Sequence, residues 1–177
     1  KREALDDAAS HGFRCWCGVG SDLTRIRTVV NELKQHPAIA WWETEDEPSF
    51  AWNKPTEFRV APEKIHAAYR LLKELDPARP VYLNHSPTNL VDTLKRYNPG
   101  GDLIATDIYP VIPPGIRTQY ALWPDGQQGD FSDTTIAQVG RYMNKMRQVA
   151  EGRPVMAVLQ GFAWENLRKT GDRDARM

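Results

Sequence analysis

The segment Trp41-Trp42-Glu43-Thr44-Glu45-Asp46-Glu47-Pro48 gathers four carboxylates beside two indoles. Carboxylates packed this closely repel one another as anions, and apolar rings desolvate them, so both neighbours favour the protonated form. A carboxyl group kept neutral at working pH can hand its proton to a departing atom, which is general acid chemistry. Alternation along a strand sends Trp41, Glu43, Glu45 and Glu47 to one side for as long as the strand lasts. A solvated charged loop is the plain alternative. Cys15 and Cys17 stand two residues apart on one face of an expected strand, a spacing that closes no easy disulfide, and they read as small core residues. His11, His36, His66 and His85 show no zinc-like spacing relative to them. No metal or cofactor is expected.

These residues must be positioned by elements that the hydrophobic periodicity locates. Leu5, Ala8 and Ala9 have helical spacing, Gly12 stops that helix, and residues 13–19 read as a short strand. Asp22 is placed to cap a helix with the stripe Leu23, Ile26, Val29, Val30 and Leu33. His36-Pro37 ends it before a strand over 38–42. Pro62 opens a helix with Ile65, Ala68, Tyr69, Leu71, Leu72 and Leu75 on one side, and Asp76-Pro77 precedes a strand over 80–84. A helix near Leu90 to Tyr97, a strand over 102–108, a helix from Thr134 to about Ala150 and a strand over 154–159 complete the pattern.

Five strands alternating with amphipathic helices imply a parallel sheet joined by right-handed crossovers. No Gly-rich phosphate loop follows any strand, which argues against a nucleotide-binding doubly wound fold. The long segments, 46–60 and 109–133, follow strands, whereas those before strands are short. That asymmetry is the layout of a (β/α)8 TIM barrel, whose functional groups sit at the C-terminal strand ends. A closed barrel needs eight strands and about 250 residues. The fold expected is therefore α/β, a partial TIM barrel of about five β/α units, with residues 1–177 forming part of a single catalytic domain.

At these residues the sequence resembles the clan A glycoside hydrolases, TIM-barrel glycosidases of the β-galactosidase and cellulase kind. His36-Pro37-Ala38-Ile39-Ala40-Trp41 followed by Asp46-Glu47-Pro48 is similar to their fourth strand, which ends in an Asn-Glu or Asp-Glu pair whose Glu is the general acid/base. The stretch 72–81 is similar to the helix and fifth strand that follow, 102–110 to the sixth strand and 153–160 to the seventh. The resemblance implies strands three to seven here, with strands one, two and eight outside the chain and the remainder of the same barrel as a partner.

It also implies Glu47 as the catalytic acid/base on a β-linked oligo- or polysaccharide. Asp46, where Asn is frequent, is expected to bind a sugar hydroxyl or orient Glu47. The nucleophile of such enzymes is a Glu ending strand seven, where this chain has Gln160, an amide that cannot form a glycosyl ester. A shifted register with Glu165 as nucleophile, another carboxylate such as Asp107, and a barrel that binds sugar without cleaving it all stay open. Tyr109 resembles a Tyr that contacts the nucleophile. Asn84 and His85 end a strand and are candidates to hydrogen-bond a sugar, loop capping being the alternative. Flat indoles cover the apolar faces of sugar rings, making Trp52, Trp123 and Trp164 candidate subsite platforms, while Trp41 or Trp42 is expected in the core. The substrate contacts expected are thus Asp46, Asn84, Asp107, Tyr109, Gln160 and those three Trp.

Lys plus Arg equals Asp plus Glu at 23 each, with the basic residues scattered, so nothing gathers polyanions and nucleic acid is not an expected partner. No apolar run approaches the ~20 residues of a membrane span. The N-terminus lacks a signal-peptide core and begins inside a helical pattern, as a chain cut from something longer would. Secretion or a periplasmic location is implied by the resemblance alone. A metal-dependent barrel hydrolase using the acidic cluster with His85 is a third reading, without the paired-His motif such sites favour.

Overall fold

The structure, a computed structural model, describes residues 2–50, 57–86, 89–109 and 136–161. Its elements run α1 (Arg2–Ser10), β1 (Cys15–Gly18), α2 (Leu23–Leu33), β2 (Ile39–Glu43), α3 (Pro62–Leu75), β3 (Val81–His85), α4 (Val91–Lys95), a 3-10 turn (Asn98–Gly100), β4 (Leu103–Ile108), α5 (Ala137–Ala150) and β5 (Val155–Leu159). The five strands pair in sequence order, each parallel to the next, in a sheet curled as half a barrel. This is the partial TIM barrel expected from the sequence.

Local chemistry accounts for the boundaries. Asp22 caps α2 by accepting the Arg25 amide at 2.7 Å, which satisfies one of the orphan donors of the first turn. Pro62 starts α3, where its missing N–H costs nothing. The helix expected over 90–97 is shorter, because Pro99 breaks the pattern and the chain tightens into the 3-10 turn. Gly100 and Gly101 then let the backbone pass close to its neighbours: a Cβ on Gly100 would lie 2.6 Å from Ile65 Cγ2, and one on Gly101 2.7 Å from Leu83 Cβ.

Two apolar clusters lie between sheet and helices. Cys17, Ile26, Val30, Leu33, Ile39, Trp42, Leu72 and Val81 pack with α1 to α3, and Ile65, Leu83, Leu94, Tyr97, Ile104, Met146 and Val149 pack with α3 to α5. Cys15 and Cys17 are free thiols turned to the first cluster, as expected of small core residues. Strict alternation would place Ile39 and Trp42 on opposite faces, yet both are fully buried in that cluster. The register between β1 and β2 shifts between Cys15 and Trp16, so Trp16 pairs with Trp41 and Ala40 is the extra residue. Such an irregularity lets one strand present two residues of opposite parity to one layer. It aims Trp42 at the helices and leaves Trp41 and Glu43 for the barrel interior.

The N-terminal rim is pinned by one ionic group. Trp42 Nε1 donates to Asp76 Oδ2 at 2.9 Å, and Arg79 donates to the same oxygen at 2.7 Å. Arg79 also donates to the carbonyls of Ile39 at 3.1 Å, His36 at 3.4 Å and Lys34. Only 7% of the Asp76 side chain and 21% of the Arg79 side chain reach solvent. Replacing Asp76 with Ala strands the guanidinium without its counter-charge, and removing one partner of a buried pair costs about 3–5 kcal/mol. Urea unfolding of the Asp76→Ala variant should show a loss of that size. A loss under about 1 kcal/mol would mean that water replaces the carboxylate and that the rim is not held this way.

Candidate active site

At the opposite rim, strand parity brings the chemistry together. Trp16 and Gly18 on β1, Glu43 on β2, Tyr82 and Asn84 on β3, and Asp107 on β4 turn to the concave face, fixed by the pairs Gly18 with Glu43, Glu43 with Tyr82, and Asn84 with Ala105. Tyr82 is the floor: its ring lies 6.0 Å from Trp16 and 6.4 Å from Trp41, both stacked on it. Trp42 is the core tryptophan and Trp41 belongs to this inner layer.

The four clustered carboxylates take different places. Glu45 turns to the β1–α2 loop, where Oε1 accepts from the amide of Ser21 at 2.9 Å and from its hydroxyl at 2.7 Å. Strand β2 ends at Glu43, so alternation stops there and does not carry Glu45 to the cleft. Glu43 stays inside, 3.4 Å from where a Cβ on Gly18 would sit, and Trp16 donates to it. Burial first, then the charge of Asp46, pushes the Glu43 carboxyl up to about 7. Asp46 lies exposed at the mouth, its Oδ1 accepting from Asn84 Nδ2 at 2.9 Å.

Glu47 is reached through a strained turn. Its φ of 41° lies in the left-handed region, which a non-glycine residue rarely adopts and which the following Pro48 disfavours further. Surrounding bonds hold it there. Its carbonyl accepts from the Phe50 amide at 3.0 Å, Pro48 O from the Val60 amide at 2.9 Å, and Ser49 O from Asn89 Nδ2 at 2.9 Å. The turn aims the Glu47 carboxyl at Asp107, and the two carboxyl groups are hydrogen-bonded. The Glu47 carboxyl is pushed from its ordinary 4.5 up to about 8, by burial first and then by Asp107 and Asp46, with Arg59 pulling the other way. The direction is the one expected from the sequence. Burial and Asp46 contribute as expected, while Asp107, from another strand, takes the place expected of Glu43 and Glu45 as the chief like charge.

Asp107 itself is raised by burial, and is opposed by hydrogen bonds from Glu47, from its own backbone amide and from Asn84. Asn84 Nδ2 reaches Asp107 Oδ1 at 3.2 Å, so one amide nitrogen bridges Asp46 and Asp107. The Tyr109 hydroxyl bonds Asp107 as well. Gln160 follows β5 directly and stands half-buried at the same rim. Of the residues expected at the site, the structure joins Asp46, Glu47, Asn84, Asp107 and Tyr109 and sets Gln160 on their rim. Trp52, Trp123, Trp164 and Glu165 lie outside the described residues.

His85 is corrected. It is fully buried on the helix side, its ring edge-on to Tyr97 at 5.8 Å, and neither ring nitrogen has a hydrogen-bond partner among the described residues. Burial lowers its pKa to about 3. Parity explains the miss: adjacent residues on a strand face opposite ways, so with Asn84 in the cleft His85 cannot contact a sugar or join the acidic cluster as a metal ligand. Glu43 keeps the inward side expected of it, whereas Tyr82 and Arg59 were not anticipated at the site. The two-residue spacing of Tyr82 and Asn84 would have found the tyrosine; Arg59 is brought near only by tertiary packing.

Parallel strands curled about a concave face, with carboxyl groups at their C-terminal ends, make this a glycosidase-like portion of a TIM barrel. Residues 20–108 match the family described as glycosyl hydrolases family 2, TIM barrel domain, and the chain belongs to that family. Among solved structures it is similar to a GH2 β-galacturonidase from Eisenbergiella tayi, in a crystal structure with galacturonate and in another with glycerol. Each has a TM-score of 0.54 and 16% identity, over 97% of this chain and 33% of that one. It is also similar to a β-D-glucuronidase from Dictyoglomus thermophilum, with a TM-score of 0.47 and 18% identity over 76% of this chain and 19% of that one. At such identities the likeness is one of fold, and the chain spans about a third of the length of the galacturonidase. No curated protein matches the chain.

The proton on Glu47 has a consequence for stability. Between pH 4.5 and about 8 the folded chain keeps a proton that the unfolded chain has released, so the unfolded state binds fewer protons and stability falls as pH rises through that window. Glu47→Gln removes this dependence. Its melting temperature relative to wild type should therefore rise between pH 5 and pH 8; a constant difference would show that the carboxyl titrates normally.

Proposed function

We propose that this chain is the central part of a clan A glycoside hydrolase that cleaves a β-linked oligo- or polysaccharide, with Glu47 as general acid/base. The observation that carries the reading is the half-buried Glu47 carboxyl, bonded to Asp107 at the C-terminal rim and raised to about 8. A glycosidic oxygen leaves poorly unless it is protonated as the bond breaks, and a carboxyl that keeps its proton at neutral pH supplies one. On this reading β1 to β5 correspond to barrel strands three to seven of a single catalytic domain. Strands one, two and eight then come from elsewhere in the protein. Asp46, at the mouth, and Tyr109 and Gln160, at the rim, would contact substrate hydroxyls, and Trp52, Trp123 and Trp164 would stack on sugar rings.

A second reading has its own observation. Gln160 directly follows strand β5, where the family resemblance calls for a nucleophilic carboxylate, and that favours a barrel that binds sugar without turning it over. Activity decides between them. If the intact protein hydrolyses a β-glycoside whose leaving group needs protonation, Glu47→Gln should lower the rate by ~10²-fold or more, while sugar binding measured calorimetrically persists. An unchanged rate removes Glu47 from the mechanism. Binding with no turnover in the unaltered protein leaves the silent barrel as the function.

A further inference from the structure

Asp107 has more hydrogen-bond donors than a group waiting for sugar needs. Asn84 Nδ2 donates to it at 3.2 Å, its own amide donates to it, and the Tyr109 hydroxyl is bonded to it. Glu47 faces it from the turn after β2. Two carboxyl groups in hydrogen-bond contact cannot both be ionised without large repulsion, so one proton lies between them. Its side is set by the surroundings. Donors that favour a charged carboxylate converge on Asp107, whereas among the described residues the influence that favours a charged Glu47 is Arg59. The other charged or titratable groups facing the pair, Glu43, Asp46 and Tyr82, add negative charge or none. The anion therefore belongs on Asp107 and the proton on Glu47.

We infer that Asp107 is a positioning residue: held by Asn84 and Tyr109, its carboxylate accepts the Glu47 hydroxyl and keeps Glu47 as a protonated acid aimed into the cleft. Asp107 thereby has a task other than touching substrate, and Asn84 serves it by fixing both Asp46 and Asp107 with a single amide. This rests on the reading of Glu47 as the acid. When Glu47 gives its proton to a leaving oxygen, the O–H bond breaks, the new O–H bond forms on the departing alcohol, and Glu47 is left as an anion beside Asp107. That repulsion drives recapture of a proton from the water whose oxygen bonds to the sugar carbon in the following step, which resets the pair.

The test is Asp107→Asn in the intact protein, with infrared difference titration of the protonated carboxyl signal and Glu47→Gln to assign the Glu47 band. Asn keeps bonds to Asn84 and Tyr109 through its carbonyl but turns an N–H toward Glu47, which favours the anion. The Glu47 band should vanish about one pH unit or more lower than in wild type. The alkaline limb of kcat/KM on a glycoside with a poor leaving group should move with it, and KM should change less than kcat. A Glu47 band that titrates at the same pH in both proteins overturns the inference. If Asp107→Asn does not fold, Tyr109→Phe serves: with one donor gone the proton shifts toward Asp107, so the Glu47 band should weaken near neutral pH, and unchanged intensity refutes it. Should Glu47→Gln leave the rate intact, the acid assignment falls by itself, because the infrared titration reads the pair without turnover.

Discussion

The architecture hangs on the burial of Asp76 between Trp42 and Arg79. One carboxylate oxygen accepts both the indole N–H and the guanidinium, and the same guanidinium covers the carbonyls of Ile39, His36 and Lys34. Chain leaving α2, chain entering β2 and the end of α3 meet there. Rotation of β2 about its axis is settled by which tryptophan reaches Asp76. With Trp42 on the helix side, Trp41 and Glu43 must face inward and the following turn must start from the inner edge of the strand. Had Trp41 made that bond instead, the carboxylates would point into the helix layer, where unpaired charge is strongly disfavoured.

The two rims of the sheet are built on opposite principles. At the N-terminal rim, charges are matched: Asp76 meets Arg79, and Asp102 accepts from Tyr69 at 2.8 Å, from Lys73 at 3.3 Å and from the Val81 amide at 2.8 Å. At the C-terminal rim, Glu43, Asp46, Glu47 and Asp107 crowd together, and Glu47 sits on a left-handed backbone. Strain and like-charge repulsion of this kind persist only where the surroundings over-determine them. The apolar clusters and the matched rim provide that excess, which is why functional groups can tolerate environments that do not favour folding.

Much of this was legible because periodicity carries it. The strands and helices follow from apolar spacing, capping by Asp22 and the punctuation of Pro37, Pro62 and Pro77, and the asymmetric loop lengths point to the barrel rim. Asp46, Glu47, Asn84 and Asp107 could be assigned to one rim because each ends or follows a strand. What escaped was pairing across strands. Which carboxylate neighbours Glu47 depends on β2 and β4 being brought together over β3, a long-range fact that local spacing cannot express. The irregularity at Ala40 was equally hidden, since it arises from the competition of Ile39 and Trp42 for one core. His85 misled because the end of a strand was taken as the unit, when parity divides even adjacent residues.

The contact between Glu47 and Asp107 also constrains what the rest of a glycosidase would have to supply. A retaining enzyme holds its two carboxyl groups about 5–5.5 Å apart and an inverting one about 6.5–9.5 Å apart, because a sugar carbon, or that carbon and a water, must lie between them. Carboxyl groups that share a proton leave no such space, so Asp107 is excluded as the group that attacks the sugar from the far side. Gln160 is excluded by its chemistry. Hydrolysis with Glu47 as acid therefore requires a carboxylate other than Asp107 facing it across the concave side. Its distance from Glu47, rather than anything in the Asp107 pair, sets the stereochemical outcome.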